Sequence, residues 1–221
     1  MRLEIFSDTI CPWCFVGKRR LERALGQRPQ PGLAVRWRAF QLNPGMAAEG
    51  MDRKTYLDLK FGGRERAGRV YEAVTAAGRG EHIAFAFDRI RRTPNTLDSH
   101  RLLRFADTDR QHDLAEALFV GYFTEGADIG DRRVLADIAT SVGFDRTTIA
   151  RFLDSRAEVD AVLAEDALAR RQGINGVPCF VFNGRFALSG AQEPEALFQL
   201  FDLAREDDQV RLEATRASVG A

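Results

Sequence analysis

The stretch Leu3-Glu4-Ile5-Phe6-Ser7-Asp8-Thr9-Ile10-Cys11-Pro12-Trp13-Cys14 decides how the rest of the chain is read. Residues 2–6 have the length and composition of a short buried strand, with Leu3 and Ile5 on one face. Residues 7–10 form a loop. A helix then starts at Pro12, where a proline is tolerated because the first helical turn does not need its N–H. Leu21 and Leu25 lie four apart on one face of that helix, which runs to about Leu25. After a connector holding Pro29 and Pro31, Leu33, Val35 and Trp37 alternate with Arg36 and Arg38, a period-two strand over residues 33–40. The order β-α-β implies two parallel strands joined by a right-handed crossover.

Cys11 thus falls at a helix N-terminus that follows a strand. Unpaired N–H groups and the positive end of the helix dipole favour a thiolate there. In favourable geometry the dipole is worth ~2 kcal/mol, enough to bring a cysteine near ~8.5 towards ionisation at neutral pH. Cys14 lies one turn further, placed to attack a mixed disulfide on Cys11. The competing reading is structural zinc, which needs four ligands, commonly two close pairs. Only Cys179, His82, His100 and His112 remain, with no second close pair, so the redox reading is preferred and no metal is assigned.

Composition narrows the function. The 221 residues carry 32 Lys+Arg against 32 Asp+Glu, with no long run of like charge, which argues against nucleic acid or anionic lipid as partner. A hydrophobic share of 45% is ordinary for a soluble domain. No apolar run approaches the ~20 residues of a membrane span. The beginning, Met1-Arg2-Leu3-Glu4, lacks the apolar stretch of a secretion signal, so a cytoplasmic location is expected. Three cysteines do not make a disulfide scaffold.

Between about Gly45 and Ala169 the pattern turns helical, with no strand. Ala67, Val70, Tyr71, Val74 and Ala77 follow helical spacing, as do Leu114, Leu118 and Tyr122, and Val134, Leu135, Ile138 and Val142. Asn95 with Asp98, and Ser155 with Glu158, read as capping boxes. The chain then returns to strand: residues 179–182, Asn183-Gly184, and residues 185–188 predict a hairpin. Val177-Pro178 precedes it after a glycine-rich approach. Pro194 opens a helix carrying Leu197, Leu200, Phe201 and Ala204, and the polar tail from Arg205 is expected to fray. The fold class is therefore α/β: residues 1–44 and 170–221 form one domain, and residues 45–169 a large all-helical insertion.

The whole succession resembles the thioredoxin fold with the insertion of the DsbA family. Ser7-Asp8 before the dithiol, Gly17-Lys18, Phe40-Gln41-Leu42-Asn43-Pro44, Asn95-Thr96 with His100-Arg101-Leu102, and Gly176-Val177-Pro178 with Ser189-Gly190-Ala191-Gln192 resemble its FrnE-like branch. The resemblance implies roles. Cys11 would be the attacking thiol and Cys14 the resolving one. Pro178 would be the cis-proline facing them, and Val177 would offer its backbone to an extended substrate. Pro12 and Trp13 form the dipeptide that tunes the potential; DsbA has a histidine in place of Trp13, so a weaker oxidant is implied. Glu4 is a candidate for a buried acid under Cys14 that takes its proton. His100 is a candidate for the substrate groove. Cys179 should point into the core. Phe61, Phe85, Phe87, Tyr122 and Phe123 are core aromatics, some bordering a pocket over the dithiol.

The expected activity is thiol–disulfide oxidoreduction or isomerisation on protein or small-molecule thiols. It needs no resident cofactor and takes glutathione as a candidate redox partner. The same fold branch holds 2-hydroxychromene-2-carboxylate isomerase and kappa-class glutathione transferase, so a glutathione-dependent isomerase or transferase acting on a small aromatic substrate is the alternative. Those relatives typically carry serine where Cys11 stands. A third class is a binding module with an idle or zinc-holding dithiol. Monomer and homodimer both remain open.

Overall fold

Leu3 and Ile5 alternate with Glu4 and Phe6, so β1 (Arg2–Ser7) presents two different faces. The computed structural model of the chain describes residues 1–219. In it Leu3 and Ile5 share a core with Phe15, Leu21 and Ala24 of α1 (Pro12–Gln27). Phe6 packs on the other side with Phe40 and Cys179. β2 (Ala34–Ala39) runs parallel to β1, with Leu3 opposite Val35 and Ile5 opposite Trp37. The helix between them is the crossover that parallel pairing requires.

Antiparallel strands β5 (Cys179–Phe182) and β6 (Phe186–Ser189) complete the sheet, in the order β2-β1-β5-β6 once two short strands of the insertion are counted as β3 and β4. Asn183 and Gly184 take φ of 52° and 70°, the left-handed conformation of an Asn-Gly turn. Phe182 pairs with Phe186, so Arg185 belongs to the turn and not to the strand; its N–H closes the turn onto the Phe182 carbonyl at 2.9 Å.

The insertion holds α2 (Arg53–Phe61), α3 (Arg64–Gly80), α4 (Leu97–Phe105), α5 (Thr108–Val120), a π-helical turn (Gly121–Glu125), α6 (Arg132–Ser141), α7 (Arg146–Asp154) and α8 (Val159–Arg171). Asp52, Asp107, Asp131 and Asp145 each cap a helix start by accepting a backbone N–H. Two expectations fail here. The segment is not free of strand: Met51–Asp52 (β3) pairs with Arg92–Thr93 (β4), a ladder too short to show a period. Ser155 does not open a helix either. It ends α7, its hydroxyl accepting the Ala157 N–H at 3.1 Å, while the Glu158 carboxylate goes to Arg104. Asn95 is not the cap residue either: Thr96 holds that position without a side-chain cap bond, Asn95 accepts the Leu97 N–H from one residue earlier at 2.8 Å, and Asp98 turns to Arg101 and Arg132.

The insertion also closes the sheet. β2 is an edge strand, and side chains of the insertion take its outward N–H groups: Gln111 accepts from Trp37, Glu165 from Ala39 and Asp166 from Gln41 just beyond the strand. α8 runs to Arg171, past the expected boundary at residue 169. The tail does not fray at Arg205; α9 (Pro194–Val219) continues because Asp207 pairs with Arg185 and Arg211, and Asp208 with the amino group of Met1.

Candidate active site

The loop after β1 delivers Cys11 as the residue just before the first turn of α1. Its N–H donates to the Asp8 carbonyl at 3.0 Å, and its own carbonyl accepts the Cys14 N–H at 3.0 Å. Cys11 is 5% exposed and Cys14 1%. Both are thiols, as is Cys179. The Cys11 thiol donates to the Val177 carbonyl at 3.5 Å. The Val177–Pro178 peptide is cis. The helix can press against this proline because residue 17 is glycine, with Pro178 and Phe180 closing on the place a side chain would occupy.

The two thiols differ in environment. Burial pushes the Cys14 thiol well above its ordinary range, and the neighbouring Cys11 thiol adds to the effect; the Ser7 hydroxyl and the Asp8 backbone pull in the other direction. Cys14 therefore keeps its proton at neutral pH. Tyr71 of α3 feels the charge of Cys11. Burial raises its phenol, the Arg53 guanidinium opposes, and charge on Cys11 raises it further. Arg53 of α2 donates to the Tyr71 hydroxyl and, at 3.1 Å, to Thr93. Tyr71 packs on Phe87 at 4.4 Å between ring centres, and Phe87 stacks on Phe85 at 4.8 Å. The insertion thus carries a cluster of aromatic rings with one guanidinium against it.

The structure brings Cys11, Cys14, Pro12, Trp13, Val177 and Pro178 together. Pro12 and Trp13 sit half-buried between the thiols, Trp13 against the core of α1. Two candidates fall elsewhere. Glu4 lies on the Phe6 face of β1, opposite to the one that carries the dithiol, and its carboxylate meets Arg38 at 3.4 Å. It is not under Cys14. His100 does not line a groove: it is 2% exposed and faces the buried Asp8. Cys179 is buried on the Phe6 face, away from the pair. Phe85 and Phe123 join the core around Phe15. Sequence reasoning missed Ser7, Asp8 and Gly17 as site residues. Ser7, Asp8 and Gly17 stood within the motifs that carried the resemblance, and only their contacts across the fold give them roles. Among the described residues no cluster of His, Cys, Asp or Glu is built to hold a metal ion, and no helix is long and apolar enough to cross a membrane.

Comparison with known proteins gives the same architecture a family setting. The family model of the DsbA-like thioredoxin domain matches residues 2–202. The uncharacterized protein YwbO of Bacillus subtilis is 24% identical over 211 residues, covering 95% of this chain and 98% of its own. The crystal structure of SCO1869, a probable DsbA oxidoreductase of Streptomyces coelicolor, superposes with a TM-score of 0.84 at 34% identity, covering 93% of this chain and 90% of that one. A 2-hydroxychromene-2-carboxylate isomerase shares the fold at a TM-score of 0.68 and 17% identity, with 100% of both chains covered.

Proposed function

Because the chain belongs to the DsbA-like thioredoxin-domain family, we propose that it is a thiol–disulfide oxidoreductase in which Cys11 attacks and Cys14 resolves. One observation carries the reading: two thiols one helical turn apart, the outer one bonded to the Val177 carbonyl and the inner one sealed with its proton. In the reducing direction the Cys11 thiolate attacks one sulfur of a substrate disulfide, forming a mixed disulfide and releasing the first substrate thiolate. Cys14 then gives up its proton and attacks the Cys11 sulfur. The Cys11–Cys14 disulfide forms, the second substrate thiolate leaves, and the two electrons have passed from the dithiol to the substrate. The oxidising direction is the reverse.

Val177 supports the substrate side. Its carbonyl already accepts from Cys11, so a segment lying along residue 177 would meet the reactive sulfur. Trp13, half-buried between the two thiols, stands beside the approach. The reading needs no resident cofactor and takes thiols or disulfides as substrates, glutathione among them. We set it in the cytoplasm, where the surrounding thiol pool and the protein's own potential decide the direction. Two free thiols are more than a glutathione-dependent isomerase requires, which favours exchange over that alternative.

Equilibration in graded glutathione buffers, followed by Trp13 and Trp37 fluorescence, tests the proposal. A reversible two-electron transition that disappears in Cys11→Ser is expected. In Cys14→Ser a mixed disulfide on Cys11 should accumulate. Tight glutathione binding without a dithiol transition would move the assignment to the isomerase class, and stoichiometric zinc would move it to a binding module.

A further inference from the structure

Behind the dithiol lies a pair of ionisable side chains that the exchange chemistry does not use. Asp8 is 0% exposed and His100 2%. One carboxylate oxygen of Asp8, Oδ2, accepts the Leu42 N–H at 2.7 Å. The other, Oδ1, faces His100 Nε2 at 3.4 Å. Neither Oδ1 nor Nε2 has a hydrogen-bond partner among the described residues. The two stand within ion-pair distance of one another, and each is a buried polar group that is costly to leave uncompensated.

The contact joins two parts of the fold. Asp8 stands in the loop between β1 and α1, and His100 comes from α4 of the insertion. Thr9 and Ser99, the chain neighbours of Asp8 and His100, share a buried bond between hydroxyls at 2.7 Å. The Asp8 backbone in turn holds the dithiol: its carbonyl accepts the Cys11 N–H at 3.0 Å. Other ionisable groups whose charge acts at the dithiol are the two thiols on one another and Tyr71 from α3, which is bonded to Arg53 of α2.

We propose that Asp8 and His100 are a positioning pair, in which the imidazole supplied by the insertion holds the Asp8 carboxylate and so sets the turn that presents Cys11. His100 thereby acts on the dithiol through Asp8, without touching substrate. The meaning of the pair for catalysis rests on Cys11 being the attacking thiol; its existence as a pair does not.

Alkylation of Cys11 in the reduced full-length protein reads the pair directly, since iodoacetamide needs an available thiolate but no redox partner. His100→Gln takes the imidazole away from Oδ1 and should slow alkylation at neutral pH about tenfold, and Asp8→Asn about threefold. The decisive variant is the double one. If the two residues act as a unit, adding His100→Gln to Asp8→Asn costs nothing further. A double variant slowed by the product of the two single effects overturns the proposal. So does a His100→Gln protein that melts earlier but is alkylated at the wild-type rate, which would be a purely structural role. Should His100→Gln alone not fold, Asp8→Asn and the double variant are compared on the same criterion. Failure of the wild-type glutathione titration would sink the oxidoreductase reading and leave this alkylation result standing.

Discussion

The Cα of Gly17 faces the ring of Pro178 so closely that a methyl group added to it would lie 2.9 Å from Cγ and 3.2 Å from Cζ of Phe180. Neither obstacle is the end of a flexible chain. The proline is held between the dithiol and the sheet, and Phe180 is buried in the core. Gly17→Ala should therefore cost about 1–3 kcal/mol of stability, the usual range for overpacking. It should also push α1 away from the Val177 carbonyl and slow exchange. Denaturant unfolding combined with the rate of reduction of a small disulfide checks both. A stable Gly17→Ala protein with normal exchange would show that the close approach is dispensable.

The buried state of Cys14 makes the resolving step depend on pH. Burial, followed by the proximity of the Cys11 thiol, raises Cys14 well above the ordinary value of 9.0. The neutral form is favoured, so the reactive thiolate is scarce at neutral pH and grows with each unit. In the mixed disulfide Cys11 is no longer a thiol, so burial alone holds Cys14 up, and the rate of resolution should still rise about tenfold per pH unit through neutral pH. Stopped-flow release of a chromogenic thiol measures it. A plateau near neutrality would mean that Cys14 loses its proton far more easily than its surroundings imply.

Much of this arrangement is legible in local pattern. The alternation in residues 2–6, Pro12 after Cys11, and Asn183-Gly184 between two apolar runs each act within a few residues, and each led to the element found. What escaped is what depends on contacts across the chain. Period two already separates Glu4 from Leu3 and Ile5, but it does not say which face α1 will cover, and Glu4 proved to be on the other. The pairing of Met51 with Thr93 is a two-residue ladder with no period to detect. Ser155 and Glu158 have the spacing of a capping box, yet Arg104 claims the glutamate. His100 on a helical pattern reads as a surface or groove residue until Asp8 is brought against it.

Arg101, next to His100, is the strongest test of how the insertion is held. It is 1% exposed. Its guanidinium donates to the carbonyls of Ala157 at 2.7 Å, Leu153 at 3.3 Å, Phe152 at 3.0 Å and Ser155 at 2.7 Å, and to Asp98 at 2.5 Å. It thereby ties α4 to the end of α7 and the turn into α8. Arg101→Met fills similar space but removes all five of these bonds at once, leaving Asp98 with Arg132 alone and the Phe152 carbonyl with Ser155. The expected loss is about 3–5 kcal/mol, as for breaking a buried ion pair from one side. Urea unfolding measures it, and a loss below about 1 kcal/mol would show that water takes over these acceptors.

Glu22 of α1 provides the acid limb of the stability curve with a named contributor. Burial alone would raise its carboxyl, but hydrogen bonds from His112 and Lys18 outweigh it and bring the group from 4.5 to about 2. Lys18 Nζ stands 2.6 Å from Glu22 and 2.8 Å from Glu116 of α5, and His112 Nε2 stands 2.9 Å from Glu22. The cluster clamps the dithiol helix to α5. A carboxylate whose folded value is depressed contributes stability above its unfolded value. That contribution is lost as pH falls from about 4.5 towards 2. Because the Glu22 side chain is 37% exposed, solvent screening reduces the contribution to about 1 kcal/mol. Glu22→Gln should therefore be less stable than the wild type by about 1 kcal/mol at neutral pH. The two unfolding curves should converge as the pH drops through that window. Curves that stay parallel down to pH 2 would assign the acid sensitivity to other carboxylates and leave the clamp without a role in it.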